Sequence, residues 1–432
     1  MRVSAEGGVP EPLTMPDQSR GEIDHHAPHW LPGSKALLFT PHAGPEVFRV
    51  AVRSLETGEQ RTLIEDGFDA RYADSGHIVY GRANTLWAAP FDLERLTITG
   101  PSVSVVENLL TVNDSGIAGF NVAKDGTLVY LPARPIGDRT LTWVDRKGKA
   151  DPLPFPAQAF DFPSISPDGR RVAVQVSDGP RNDIFVCELG IGVPRQVTRD
   201  GAETRPLWTP DGKRLTYASR RKDERHIFWQ ALDGSTEAES LVVSKNDVWP
   251  GAWTPDGSAL GFVESPPTEI SDIKLLRPSD PSRVETVVGS PTEDMWPSLS
   301  PDGRWILFSS MDRRRFQLYL RPIAGGAPIQ ITTDGGGQGR WARDGREVYY
   351  RASTSVMRIS IQTSPELIIG KPEELFAGEY HGVGDGPPNY DVSPDGQRFL
   401  MVKPGDQERA PAPMHIVLDW LEALKRRVPV PR

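Results

Sequence analysis

Trp208-Thr-Pro-Asp-Gly212, Trp253-Thr-Pro-Asp-Gly257, Leu299-Ser-Pro-Asp-Gly303 and Val392-Ser-Pro-Asp-Gly396 are copies of one short phrase. Aligned on its last residue, nine copies fall at Ser34, Gly76, Gly126, Gly169, Gly212, Gly257, Gly303, Gly345 and Gly396, in steps of 42, 50, 43, 43, 45, 46, 42 and 51 residues. A period of this size marks a repeat architecture whose unit is four short strands and their turns. Proline presets φ for the first corner of a type I turn, Asp fits the second, and Gly takes the left-handed conformation that closes a tight hairpin. The pairs Asp168-Gly169, Asp211-Gly212, Asp256-Gly257, Asp302-Gly303, Asp344-Gly345 and Asp395-Gly396 are therefore read as structural turns. They lie one to a repeat, so their carboxylates do not converge on one cation. The residue opening the phrase is apolar in each copy: Trp30, Tyr72, Val122, Ile165, Trp208, Trp253, Leu299, Trp341 and Val392. Each is expected to point into a core.

Strand-like runs follow each turn. Arg171–Val176 and Trp305–Phe308 read as second strands. Asp183–Cys187, His226–Trp229, Asp272–Leu276 and Gln317–Leu320 read as third strands. Arg195–Thr198 and Ile329–Thr332 read as fourth strands. The fold expected is all-β: a β-propeller of four-stranded antiparallel blades, with nine repeat copies and a short C-terminal helix. Residues 1–24 form an N-terminal segment with a strand at about 8–14, because Gly7–Thr14 resembles the repeat end Gly325–Thr332. Residues 25–150 hold three weaker repeats, 151–418 six strong ones, and 419–432 the helix and tail. The ninth copy has a third strand at Met414–Leu418 and no fourth. Two arrangements follow: one ring closed by strand 8–14, or a six-bladed ring with part of a second. Val417, Leu421 and Leu424 give the helix its apolar face, and Lys425, Arg426 and Arg427 suit its C-terminal end.

The chain has 432 residues and a formal charge of −9, with no basic stripe, so a nucleic-acid partner is not expected. Its 41 Gly and 41 Pro are periodic and punctuate turns. Cys187 is alone, sits mid-strand and reads as a buried thiol. No apolar stretch reaches the roughly 20 residues that span a bilayer, and the first residues lack a signal-peptide core. As written the chain is expected to be soluble and cytoplasmic, with no membrane segment.

The Ser-Pro-Asp-Gly repeat with its β runs resembles the TolB-type, WD-repeat-like propellers of bacteria. Thr85–Gly100, Trp341–Tyr350, Tyr390–Leu400 and the ending Leu418–Arg427 are similar to the C-terminal propeller region of bacterial membrane-bound serine/threonine protein kinases. That resemblance implies a repeat-built sensor or interaction region, placed outside the membrane if the chain is a fragment of such a kinase. The glycine-rich nucleotide loop with its strand lysine, the His-Arg-Asp loop, Asp-Phe-Gly and the transmembrane helix are all missing, so the chain itself is not a kinase.

Few residues suggest chemistry. His25-His26-Ala-Pro-His29 has ligand-compatible spacing, but in a loop without a carboxylate it specifies no metal site. His226 reads as a packed strand residue. No Gly-x-Ser-x-Gly elbow occurs. Gly335–Gly339 lacks the Lys-Ser/Thr of a phosphate loop and reads as a flexible connection between blades. No catalytic, metal or cofactor residues are assigned. The residues placed just before the first strands, Phe162, Arg205, Trp249, Trp296 and Arg340, are expected to rim a central channel, where exposed Trp and Arg are hot-spot types. The function expected is a non-catalytic binding module for a protein, a peptide or a small ligand at the channel mouth. The competing reading is a lyase- or hydrolase-type propeller enzyme with a channel-centred His/carboxylate site.

Overall fold

A computed structural model describes residues 1–432 except 45–46, 113–114, 134–136, 223, 267–269, 313–314, 383–385, 410–412 and 431–432; the side chains of residues 407 and 409 are also outside the description. The chain divides into two compact units, Met1–Pro135 with Pro411–Arg432, and Ile136–Ala410.

The second unit is a β-propeller of six blades. Blades 1 to 5 span residues 160–196, 203–244, 247–288, 294–330 and 337–377, each an antiparallel sheet in which the strands follow in chain order from the inside out. Blade 6 pairs Tyr390–Val392 and Arg398–Pro404 with Arg139–Asp145 and Ala150–Pro152 from the start of the unit. The innermost strands touch in succession, and the Tyr390 hydroxyl of blade 6 donates to the Gln338 carbonyl of blade 5 at 2.9 Å, which closes the ring. Closure leaves no blade of this ring without a neighbour on either side.

The turns are held as their chemistry requires. In Ser166-Pro-Asp-Gly169 the Gly169 amide donates to the Ser166 carbonyl at 2.8 Å, and Asp168 Oδ1 accepts from Ser166 Oγ and the Arg170 amide. Gly169 has φ +69°, a region costly to residues with a Cβ, and the five matching glycines lie between +67° and +71°. The apolar residue opening the phrase packs against the preceding blade. Trp208 Nε1 donates to the Ser164 carbonyl, and Trp253 Nε1 to Thr216 Oγ1. Trp30 departs from this pattern: it is 48% exposed, so the phrase does not bury its first residue in every copy.

The first unit has a four-stranded sheet over 24–64, a second sheet over 68–106, a hairpin (Thr111–Val112 with Ile117–Ala118), and a third sheet of Phe120–Val122, Leu128–Tyr130 and His415–Val417. The helix is Trp420–Arg427, and it buries Trp420 and Leu424 with Val428 against Leu128, Val79 and Leu86. Val417, expected on the helical face, lies in the strand before it.

Several boundaries differ from the sequence reading. Residues 8–14 form no strand; they take part only in the bridge Arg2–Glu11. The sheet of Arg398–Pro404 is completed instead by Arg139–Asp145. The strand at 415–417 does not extend the ninth copy but completes the third. The third and ninth copies thus exchange their outer halves, and the unit boundaries fall at 135/136 and 410/411 rather than 150/151 and 418/419. Gly337 and Gly339 lie inside a first strand, not in a connection; a Cβ on Gly339 would stand 2.6 Å from Leu307 Cδ2.

Candidate functional site

The innermost strands of the six-bladed unit share a local defect. Their register shifts between Asp161 and Ser164, Thr204 and Leu207, Pro250 and Ala252, Met295 and Ser298, and Gly337 and Arg340. A bulge at one place in successive strands re-aims the side chains beside it. Four non-glycine residues sit in these bulges with left-handed backbones: Phe162 (φ +50°), Arg205 (+55°), Trp296 (+53°) and Gln338 (+62°). Such a conformation costs about 1–2 kcal/mol per residue. Pro163, Pro206 and Pro297 follow three of them and help fix the bend. In blade 3 the bulge contains an additional residue, Gly251, whose Cβ would stand 2.3 Å from Pro297 of the next blade.

Phe162, Arg205, Trp249, Trp296 and Arg340 all line one cavity of about 180 Å³ at the ring's centre, together with Asp391 of blade 6 and Pro387 and Pro388. They lie within the first strands, not in the connections before them. Trp296 is only 6% exposed; it packs on Phe316 with ring centroids 4.7 Å apart, so it is a wall of the cavity rather than an open rim residue. Its indole Nε1 is buried without a hydrogen-bond partner.

The centre of the site is a stack built by three adjacent blades. The Arg205 guanidinium lies 4.2 Å from the Trp249 ring centroid and 5.5 Å from that of Phe162. Both distances fall within cation–π range. Burial pulls Arg205 down to about 10, against the opposing charge of Asp247. The aromatic faces do not replace a counter-anion, so among the described residues the stack holds a cation without a paired carboxylate. Across the ring, burial pushes the Asp391 carboxyl above the usual range despite nearby Arg340 and two backbone donors, Ile165 N at 2.7 Å and Val392 N at 2.9 Å. The cavity therefore combines two guanidiniums, one buried carboxylate and three aromatic rings.

Two residues of the site escaped the sequence reading. Gln338, not Arg340, occupies the position in blade 5 that Phe162, Arg205 and Trp296 hold in theirs; all four stand seven residues before the closing glycine of the turn, and that fixed offset is the signal. Its Nε2 donates to the carbonyls of Gly382 and Gly386, and its Oε1 is buried without a partner among the described residues. Asp391 lies immediately before the phrase in its own blade.

Beside the cavity, at the ring closure, His381 stands between two carboxylates: Nε2 is 3.2 Å from Asp161 Oδ1 and Nδ1 is 3.8 Å from Glu408 Oε2. Arg139 pairs with both acids, at 2.5 Å to Asp161 and 2.7 Å to Glu408. Burial pushes Asp161 up, but its hydrogen bond to His381 and the Arg139 charge outweigh that and leave it below the usual carboxylate range. The network fastens the closing strand. Asn389 links it to the cavity, donating to Asp161 Oδ1 and accepting from the Phe162 amide at 2.8 Å.

The histidines of the run His25–His29 lie in the strand Asp24–Trp30, not in a loop, and they separate: His25 pairs with buried Glu22, while His26, like His42 of the neighbouring strand, approaches Asp24. His226 lies within a strand and stacks on Phe228 at 5.1 Å.

Residues 156–275 match the family model of the TolB beta propeller domain. An uncharacterized protein of Agrobacterium fabrum is 29% identical over 202 residues, covering 43% of this chain and 67% of its own length. The Tol-Pal system protein TolB of Francisella tularensis subsp. holarctica is 25% identical over 247 residues, covering 55% of this chain and 56% of its own. The chain thus spans about half the length of that TolB. A solved TolB-like structure from Agrobacterium tumefaciens superposes with a TM-score of 0.50 at 20% identity, over 62% of this chain and 99% of that one. The matched segment, residues 156–275, is thus similar to a TolB-type β-propeller domain. Among the described residues no helix is long and apolar enough to cross a membrane.

Proposed function

We propose that this chain is a non-catalytic binding module that takes an extended segment of a protein partner into the mouth of the six-bladed ring. The observation that carries the reading is the stack of Arg205 between Trp249 and Phe162, a cation without a paired carboxylate among the described residues, at a cavity that all six blades help to line. An unneutralised cation flanked by aromatic faces favours a ligand that brings a carboxylate and an apolar or aromatic side chain. Arg340 gives a second point for an acidic group, and the prolines of the bulges keep the walls stiff, so little ordering accompanies binding. The TolB-type propeller supports a protein-binding role. A role as sensor or scaffold in a serine/threonine-kinase-type signalling system rests on the four sequence stretches resembling kinase propellers.

The test is selection of short random peptides on the 432-residue chain, followed by affinity measurement on Arg205→Ala and Trp249→Ala. Selected peptides should be enriched in acidic and aromatic residues. Losing a charged or aromatic anchor should weaken them by at least about 30-fold, the equivalent of a 2 kcal/mol hot spot. Peptides that bind both variants as tightly as the parent would refute the site.

A further inference from the structure

A second cluster, in the first unit, brings together residues far apart in sequence. Asp24 and His42 face each other as register partners on the antiparallel strands Asp24–Trp30 and Ala36–His42, and His26 stands two positions along from Asp24, on the same face. Asp24 Oδ1 lies 2.7 Å from His26 Nε2 and 3.1 Å from His42 Nδ1. One ligand atom from each of the three residues falls within 4.8 Å of the other two. His26 Nε2 is buried and has no aligned hydrogen-bond partner, although the carboxylate oxygen is so near. The imidazoles are held from outside: His42 stacks on Phe48 at 4.5 Å and 13°, and the edge of Phe48 contacts His26. His25 and His29 do not join; His25 turns to Glu22 and packs at a tilt against Phe39.

We infer that Asp24, His26 and His42 form a binding site for a divalent transition-metal ion of the zinc class. Two imidazoles and one carboxylate are the donors that such ions prefer over magnesium or calcium, and three protein ligands leave one position open to solvent. Strand pairing sets the spacing, so the donors are assembled before an ion arrives. Metal–ligand bonds near 2.0–2.2 Å need only small outward rotations of side chains already this close. The open side matches Asp24, whose side chain is about half exposed. Bound metal would tie the first strand of the first unit to the second.

The test is calorimetric titration of the untagged, chelator-treated chain with zinc chloride, repeated with Asp24→Asn, His26→Gln, His42→Gln, His25→Gln and His29→Gln variants whose circular dichroism matches the parent. The parent should bind one ion. His42→Gln should weaken binding by more than about 100-fold, beyond the cost of losing a mere orienting partner. His25→Gln and His29→Gln should bind as the parent does. Cobalt should give a visible absorption band that disappears in His26→Gln. No heat with zinc, binding that survives His42→Gln, or equal losses in His25→Gln would overturn the site, the last by assigning binding to the histidine-rich run itself.

Discussion

Glu347→Gln should loosen the ring where blade 5 meets blade 6. Glu347 takes a bidentate pair from Arg146, with contacts of 2.7 and 2.9 Å, a third contact from Arg358 at 2.6 Å and the Tyr349 hydroxyl at 2.5 Å. Arg146 belongs to the turn after the closing strand Arg139–Asp145, so the pair spans the closure. The Arg146 hydrogen bonds dominate and bring Glu347 from 4.5 down to about 2, against the opposing effect of burial. At 1.36 kcal/mol per unit this difference is worth about 3 kcal/mol at pH 7. The folded-state value is depressed, so the stabilisation is fully present above the unfolded value of 4.5 and is lost as pH falls towards 2. At pH 3 the same linkage leaves about 1.4 kcal/mol. The assay is amide hydrogen exchange in peptides covering 139–145 and 398–404, taken as the variant-to-parent ratio at each pH so that intrinsic rates cancel. The variant should exchange about 300-fold faster at pH 7 and about 10-fold faster at pH 3. A ratio under threefold at pH 7, or an equal ratio at both, would refute the linkage.

Two further outcomes follow. Trp420→Ala removes the anchor of the C-terminal helix from a cluster with Leu128, Val79 and Leu86, at a cost of about 3–5 kcal/mol; exchange at Leu128–Tyr130 and His77–Arg82 should rise at least about 100-fold, and an unchanged rate would show that the helix holds nothing. Cys187 is fully buried and its thiol is pushed up to about 12 by burial, so a thiol-reactive dye should label the chain only after unfolding; prompt labelling of the native protein would contradict this.

The blades were legible because their turns need particular residues. Only glycine rests comfortably at the φ of Gly169, and Asp168 caps the corner from within the phrase, so both appear in order and in period. Strand partnership left no such mark. Arg139–Asp145 alternates apolar and polar residues like any third strand, and backbone ladders do not record which repeat they join. The five side chains singled out by sequence do share one cavity, since bulky and cationic residues recur before the phrase, but they sit inside the first strands rather than in the connections before them. Gln338 and Asp391 were not legible: Gln338 stands two residues before Arg340, whose charge fits the expected pattern, and the innermost strand of blade 6 carries neither the register shift nor the proline that mark the site in blades 1, 2 and 4. The Asp24–His26–His42 group was hidden for a different reason: His42 lies on the partner strand, and only the register brings it across.

The exchange of outer halves between the third and ninth copies has a physical basis in strand length. The second strand of the third copy, Leu128–Tyr130, is three residues long, and that of the ninth, Arg398–Pro404, is seven. Arg139–Asp145 matches the longer one residue for residue through seven register pairs, whereas the short partner accepts the three-residue His415–Val417. Pairing with the distant strand changes the separation along the chain from 9 residues (130 to 139) to 253 (145 to 398). At about 0.6 kcal/mol per doubling, those nearly five doublings cost about 3 kcal/mol. Burial offsets this, since Leu141 and Val144 are almost completely covered in the ring and each contributes about 1.5–3 kcal/mol. The longer ladder therefore prevails over the shorter loop. It also sets the site: the same strand brings Arg139 to Asp161, Asp161 holds Asn389, and Asn389 accepts from the Phe162 amide in the left-handed turn beside the cavity. Closure of the ring and the shape of the Arg205 stack are one event, so a chain that fails to close should fail to present the aromatic side of that stack.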